Sequence, residues 1–196
     1  MTSPTVSRLS WVSRAGIESD VDSTLTRAFG ALALSPTGDR IAVSIVESAN
    51  NEAIWLDDLT RRTLARLTPS GERSFRPTWT PDGSRVLFVG DHGGVGQRRI
   101  FSLAPDGNES LRVVVSRTRL VQEISWSAAG SWFAFREGWS DGATRRDIYA
   151  MVPGRRCVGR ARRTALVTVG ARVIVAFGPA FVELRAAAAS PDWTWG

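Results

Sequence analysis

One stretch of this chain has the form of a catalytic motif: Gly138-Trp139-Ser140-Asp141-Gly142, a G-x-S-x-G sequence. The motif serves acyl transfer when it turns a strand into a helix and lifts the serine out at the turn, with an acid and then a histidine later in the chain. Here Asp147-Ile148-Tyr149-Ala150-Met151 follows, which reads as a strand, and the single histidine, His92, precedes the serine. The match is accidental, and the chain is not expected to be an enzyme. His92 sits between Asp91 and Gly93 in a glycine-rich loop. An imidazole titrates near pH ~6.5 and can act as a ligand or a pH-sensitive contact. With no second histidine or cysteine cluster, it reads as an exposed loop histidine.

The other chemical signals have equally plain readings. Gly93-Gly94-Val95-Gly96 has the composition of a phosphate-cradling loop, but such a loop needs a helix N-terminus after it. Gln97–Leu103 follows as a strand, so the glycines serve a hairpin. Glu18, Asp20 and Asp22 lack the glycine-centred pattern of a calcium loop and read as a solvated connection. Cys157 is the only cysteine, so neither an internal disulfide nor a cysteine metal site is expected. No catalytic, metal or cofactor residue is assigned.

Net charge is +6, and all 25 basic residues are arginine. Seven of them, with only Glu183 and Asp192 against them, lie in residues 155–196. Clustered arginine rewards nucleic-acid binding through counterion release, but residues 1–154 are close to neutral, so no nucleic-acid partner is expected. Arg155-Arg156 and Arg160–Arg163 would at most hold an acidic partner weakly. The N-terminal residues lack the apolar core of a signal peptide. No run approaches the ~18 apolar residues of a membrane span.

The elements that would position these residues repeat along the chain. Thr80-Pro81-Asp82-Gly83 is a turn in which proline presets φ, aspartate bonds back to the backbone and glycine accepts φ > 0. Arg85-Val86-Leu87-Phe88-Val89 follows as a buried strand, then the Asp91–Gly96 loop, the strand Arg99–Leu103 and the turn Pro105-Asp106-Gly107. The same order runs from Leu32 through Ser35-Pro36-Thr37-Gly38 to Asp57, and from Ile124 through Ser127-Ala128-Ala129-Gly130 to Pro153-Gly154. Turn glycines at 38, 83 and 130 are 45 and 47 residues apart. Four short strands per period of ~40–50 residues is the pattern of a propeller blade. Trp55, Trp79, Trp126, Phe88, Phe101 and Phe135 recur at strand positions and read as core; Trp139 lies in a loop and reads as an exposed contact.

This pattern resembles the TolB-like, WD-type β-propeller repeat of bacteria. The resemblance is best at Trp79–Val89, good at Leu34–Ile45 and weaker at Trp126–Phe135, where Ala128-Ala129 replace Pro-Asp. It covers residues 8–154 and implies an all-β fold of antiparallel four-stranded blades. It also implies an extracytoplasmic, periplasmic setting. Such repeats occur in periplasmic TolB, in sensor-like extensions of bacterial Ser/Thr kinases and in prolyl-oligopeptidase-like hydrolases.

Leu9–Gly16 aligns with Ile100–Gly107, so the chain starts in the third strand of a blade. Two whole blades with a partial blade on each side fall short of the 4–8 blades of a closed ring. Residues 1–154 are therefore expected to form an incomplete propeller, a fragment able to self-associate through unclosed blade edges. Residues 155–196 are expected to be an Arg/Ala-rich tail, a degenerate blade or a shifted reading frame. The function expected is non-catalytic binding of a protein or peptide by the loops Glu47–Asn51, Asp91–Gly96 and Glu137–Thr144, with Asn50, Asn51, His92 and Trp139 as candidate contacts. The alternative is the propeller portion of a multidomain kinase or peptidase that lacks its catalytic domain.

Overall fold

The computed structural model describes residues 6–92, 98–127, 129–138 and 146–153, and the backbone of 159–161, 171–177 and 180–186. All regular structure among them is β-strand. Two compact units form, Met1–Ser116 and Arg117–Gly196.

The first unit opens with a hairpin, β1 (Ser10–Val12) and β2 (Glu18–Asp20). Two four-stranded antiparallel sheets follow. The first is β3 (Phe29–Leu34), β4 (Arg40–Ser48), β5 (Asn51–Asp58) and β6 (Thr63–Arg66), paired in sequence order. The second is β7 (Ser74–Trp79), β8 (Val86–Gly90), β9 (Arg99–Leu103) and β10 (Arg112–Val115), again in sequence order. The second unit holds a third such sheet, β11 (Leu120–Trp126), β12 (Phe133–Gly138), β13 (Arg146–Met151) and β14 (Gly159–Ala161), and a hairpin of β15 (Ala171–Phe177) and β16 (Ala180–Ala186). The sequence places strands around Leu32 and at Arg40–Val46, Ala53–Asp58, Thr63–Leu67, Phe75–Trp79, Arg85–Val89, Arg99–Ala104, Leu111–Val115, Gln122–Trp126, Trp132–Arg136 and Asp147–Met151, and these eleven meet eleven of the twelve strands in the three sheets. The twelfth, β14, lies beyond residue 154, where the repeat signature is lost.

Each sheet turns its first corner with one device. Ser35, Thr80 and Ser127 accept a bond from the turn glycine three residues on and donate their own N–H five residues on, to Arg40, Arg85 and Trp132, at 2.8–2.9 Å. Their hydroxyls accept the returning N–H of Arg40, Arg85 and Trp132 at 3.0, 2.9 and 3.2 Å. Gly38, Gly83 and Gly130 have φ of 76°, 69° and 69°, the left-handed region that glycine enters without steric cost. The third turn thus closes without Pro-Asp, because the hydroxyl and the glycine carry the geometry. Thr80→Ala is expected to lower stability by about 1 kcal/mol and Thr80→Ser to leave it unchanged. Urea unfolding of both variants measures this.

The core follows the strand alternation. Ala42, Ile54 and Leu56 of the first sheet meet Trp79, Val86, Phe88, Phe101 and Leu103 of the second in one cluster. Trp79 is almost fully buried there, and its Nε1–H donates to the Ala33 carbonyl of β3 at 3.1 Å, joining the sheets. On the opposite face, Ile41, Val43 and Ile45 pack with Leu9, Val21, Phe29 and Trp55. Trp79, Phe88, Phe101 and Phe135 are buried as expected, whereas Trp55 and Trp126 are only partly so.

Candidate functional site

Two connections of the first unit meet at one end of its sheets. The turn between β4 and β5 carries Asn50, which is exposed, and leads into Asn51 at the start of β5, whose side-chain amide donates to Glu47 at 2.7 Å. Glu47 also receives both bonds of Arg66 Nη1, at 2.9 and 3.0 Å. Beside Asn51, the buried Glu52 accepts from Arg73 Nε and Nη2 at 3.3 and 3.0 Å. Arg73 belongs to the segment that enters β7, and its carbonyl accepts the Asp91 N–H at 3.0 Å. One chain of contacts therefore runs from the first connection through Glu52 and Arg73 to Asp91 and His92. The Arg73 and Arg98 guanidiniums both lie over the Phe75 ring, 4.7 and 5.2 Å from its centroid, and Arg98 pairs with Asp91 at 3.4 Å. The sequence points to the Glu47–Asn51 loop and to His92 separately; Glu52, Arg66 and Arg73, which join them, are not among its candidates.

His92 corrects the sequence expectation. It is 6% exposed rather than an open loop residue. Its imidazole folds back over Gly90, where an added Cβ would lie 2.5 Å from His92 Cδ2. Only a glycine admits the ring at that point. The ring lodges against Phe88 and Phe101, with centroids 6.0 and 4.8 Å away. Nε2 lies 2.8 Å from Ser74 Oγ, and Nδ1 meets the Glu72 carboxylate. Burial pushes the imidazole below its ordinary pKa, against the opposing pull of Glu72 and Asp91. Strand register explains why the residues meet: Ser74 pairs with Gly90, two residues before His92.

A hydroxyl, an imidazole and a carboxylate in this order form the relay that activates a serine nucleophile. Ser74 has no exposed surface, however, so its oxygen meets no substrate in this conformation. The relay here ties strands together.

The remaining nominated groups stay apart from this cluster. Glu18 and Asp20 lie in β2, with Asp20 paired to Arg8 at 3.7 Å, while Asp22 accepts from the Thr24 N–H and hydroxyl at 2.8 and 2.7 Å. Those two bonds, the hydroxyl first, hold the Asp22 carboxyl below its usual range. Among the described residues no three acidic, histidine or cysteine side chains are placed to hold a metal. Trp139 and Ser140 lie outside the described residues, as do Gly93–Gly96, Arg155-Arg156 and Cys157. The flanking strands are nonetheless placed: Gly138 of β12 pairs antiparallel with Arg146 of β13, so the described residues on either side of Trp139–Ser140 are strand. No helix of the described residues is long and apolar enough to cross a membrane.

No known family profile matches the sequence. Solved structures do match the fold. A putative TolB from Agrobacterium tumefaciens is 17% identical with a TM-score of 0.57, the match covering 75% of this chain and 57% of that one. TolB from Acinetobacter baumannii is 23% identical with a TM-score of 0.58, over 71% of this chain and 33% of that one. A prolyl endopeptidase is 20% identical with a TM-score of 0.57, over 87% of this chain and 28% of its own length. The chain thus spans about half or less of the length of each of these proteins. With three four-stranded antiparallel sheets in sequence order, the fold of this chain is that of a TolB-like β-propeller, present in part.

Proposed function

We propose that this chain is a non-catalytic binding module that contacts a protein or peptide through the end of its blades where the β4–β5 turn, the Thr68–Arg73 connection and Asp91 gather. The observation that carries this reading is the anchored polar surface itself. Asn50 projects from a turn whose neighbours are fixed, Glu47 by Arg66 and the Asn51 amide, and Glu52 by Arg73. A contact surface presented by fixed side chains loses little conformational entropy on binding. The one relay in the described residues that could perform chemistry buries its serine, which favours binding over hydrolysis.

Peptides selected on the purified chain from a random displayed library test this. They are expected to lose about tenfold in affinity, near 1.4 kcal/mol, for Asn50→Arg, which leaves the Glu47 and Glu52 anchors in place. Selected peptides that bind Asn50→Arg equally well would move the binding surface elsewhere, and a library that yields none would overturn the reading.

A further inference from the structure

We infer that His92 is a pH-operated latch: as neutral imidazole it clamps the end of β8 to the Glu72–Ser74 segment, and as imidazolium it releases that clamp. The latch works whether or not the neighbouring turn binds a peptide. With Nδ1–H donated to Glu72, Nε2 is the acceptor for the Ser74 hydroxyl, and both ring nitrogens are used. A second proton goes to Nε2. That nitrogen then meets Ser74 only with the bond reversed onto Oγ, the Ser74 O–H no longer has Nε2 as its acceptor, and a full positive charge stands against the apolar rings of Phe88 and Phe101.

The surrounding charges set the balance. Glu72, on the segment entering β7, and Asp91, on the histidine's own segment, favour the proton. Asp91 is already paired with Arg98 at the start of β9, and Arg73 is engaged by Glu52 of β5, so neither arginine meets the ring as its partner. Against two carboxylates stands near-complete burial, which disfavours the charged form. A group bound more weakly to its proton in the folded state gives stability that is full above its unfolded pKa of about 6.5 and is lost as pH falls through the folded value. The second observation is steric: the ring occupies its place because residue 90 is glycine, so a ring that leaves has no side chain of residue 90 to replace it.

The chain has one histidine, so its imidazole resonances are unique in an NMR spectrum. The full-length chain is titrated from pH 8 to pH 4.5. The ring is expected to titrate below about 6.5, and the Ser74 and Asp91 amides to shift with the same midpoint while the Asn50 amide does not. Glu72→Gln, which removes one of the carboxylates that favour the proton, is expected to lower the midpoint further. A midpoint at or above the reference value, or a ring that titrates while the Ser74 and Asp91 amides stay still, overturns the latch. A midpoint unmoved by Glu72→Gln overturns the assigned pairing.

Discussion

Phe88→Ala is expected to cost about 3–5 kcal/mol of stability, the largest loss from any single substitution in the first unit. Phe88 has no exposed surface. Its ring stacks on Phe101 across the β8–β9 pair, with centroids 6.0 Å apart and planes 24° apart. It belongs to the cluster that takes Ala42, Ile54 and Leu56 from the neighbouring sheet, and His92 leans on its edge. Truncation removes the transfer energy of the ring and leaves a cavity between two sheets held on both sides by backbone pairing, so the walls cannot close on it. Most small domains have only ~5–15 kcal/mol in total, so the variant retains a narrow margin. Urea unfolding followed by tryptophan fluorescence measures the loss. A cost below about 1 kcal/mol would mean that the two sheets do not share this core.

The blade-forming parts of the chain were legible because their determinants are local. A Ser/Thr hydroxyl and a glycine three residues on close each corner within six residues, and the strand that follows announces itself by β-branched and aromatic side chains. The third corner, Ser127–Gly130, shows which part of the signature matters: the hydroxyl bond to Trp132 survives the replacement of Pro-Asp. The candidate site was less legible because it is assembled across strands. Glu72 and Ser74 are separated from His92 by a whole hairpin, and the Ser74–Gly90 pairing with the Asp91–Arg73 backbone bond brings them together. Glycine at 90 was the available signal, since a side chain there would fill the space the imidazole takes. The first strand of each sheet held a second hidden feature. Register shifts between Phe29 and Leu32, Phe75 and Thr78, and Val121 and Glu123 place a bulge in the first strand of all three sheets. In β7 the bulge puts Arg76, just before Pro77, at φ 53°. Bulges insert one residue without changing composition, so nothing in the alternation marks them.

A polar residue at an apolar position gives a substitution of the opposite sign. Asp57 of β5 pairs with Ile41, and the residues opposite the matching positions in the other sheets, Val86 and Phe133, are Leu103 and Met151. Its other neighbour across the ladder is Leu64. Asp57 is 4% exposed, and its Oδ2 has no hydrogen-bond partner. Burial, and then the negative charges of Asp22 and Asp58, raise its carboxyl above the usual range. A buried acceptor without a donor costs about 1–3 kcal/mol, and leucine would place apolar surface against Ile41 and Leu64 instead. Asp57→Leu is therefore expected to raise stability at pH 7 by about 1–3 kcal/mol. The pH dependence has a definite sign. A carboxyl that holds its proton more tightly when folded contributes stability that is full below its unfolded value of about 3.9 and is lost as pH rises through the folded value. The advantage of Asp57→Leu should thus be largest near neutrality and shrink as pH falls towards 4. Unfolding curves of both chains at pH 7 and pH 4 decide the matter. A variant less stable than the parent at pH 7 would mean that the carboxylate is satisfied by a partner in solution, and that the departure from Leu103 and Met151 serves binding rather than marking a local defect in the blade.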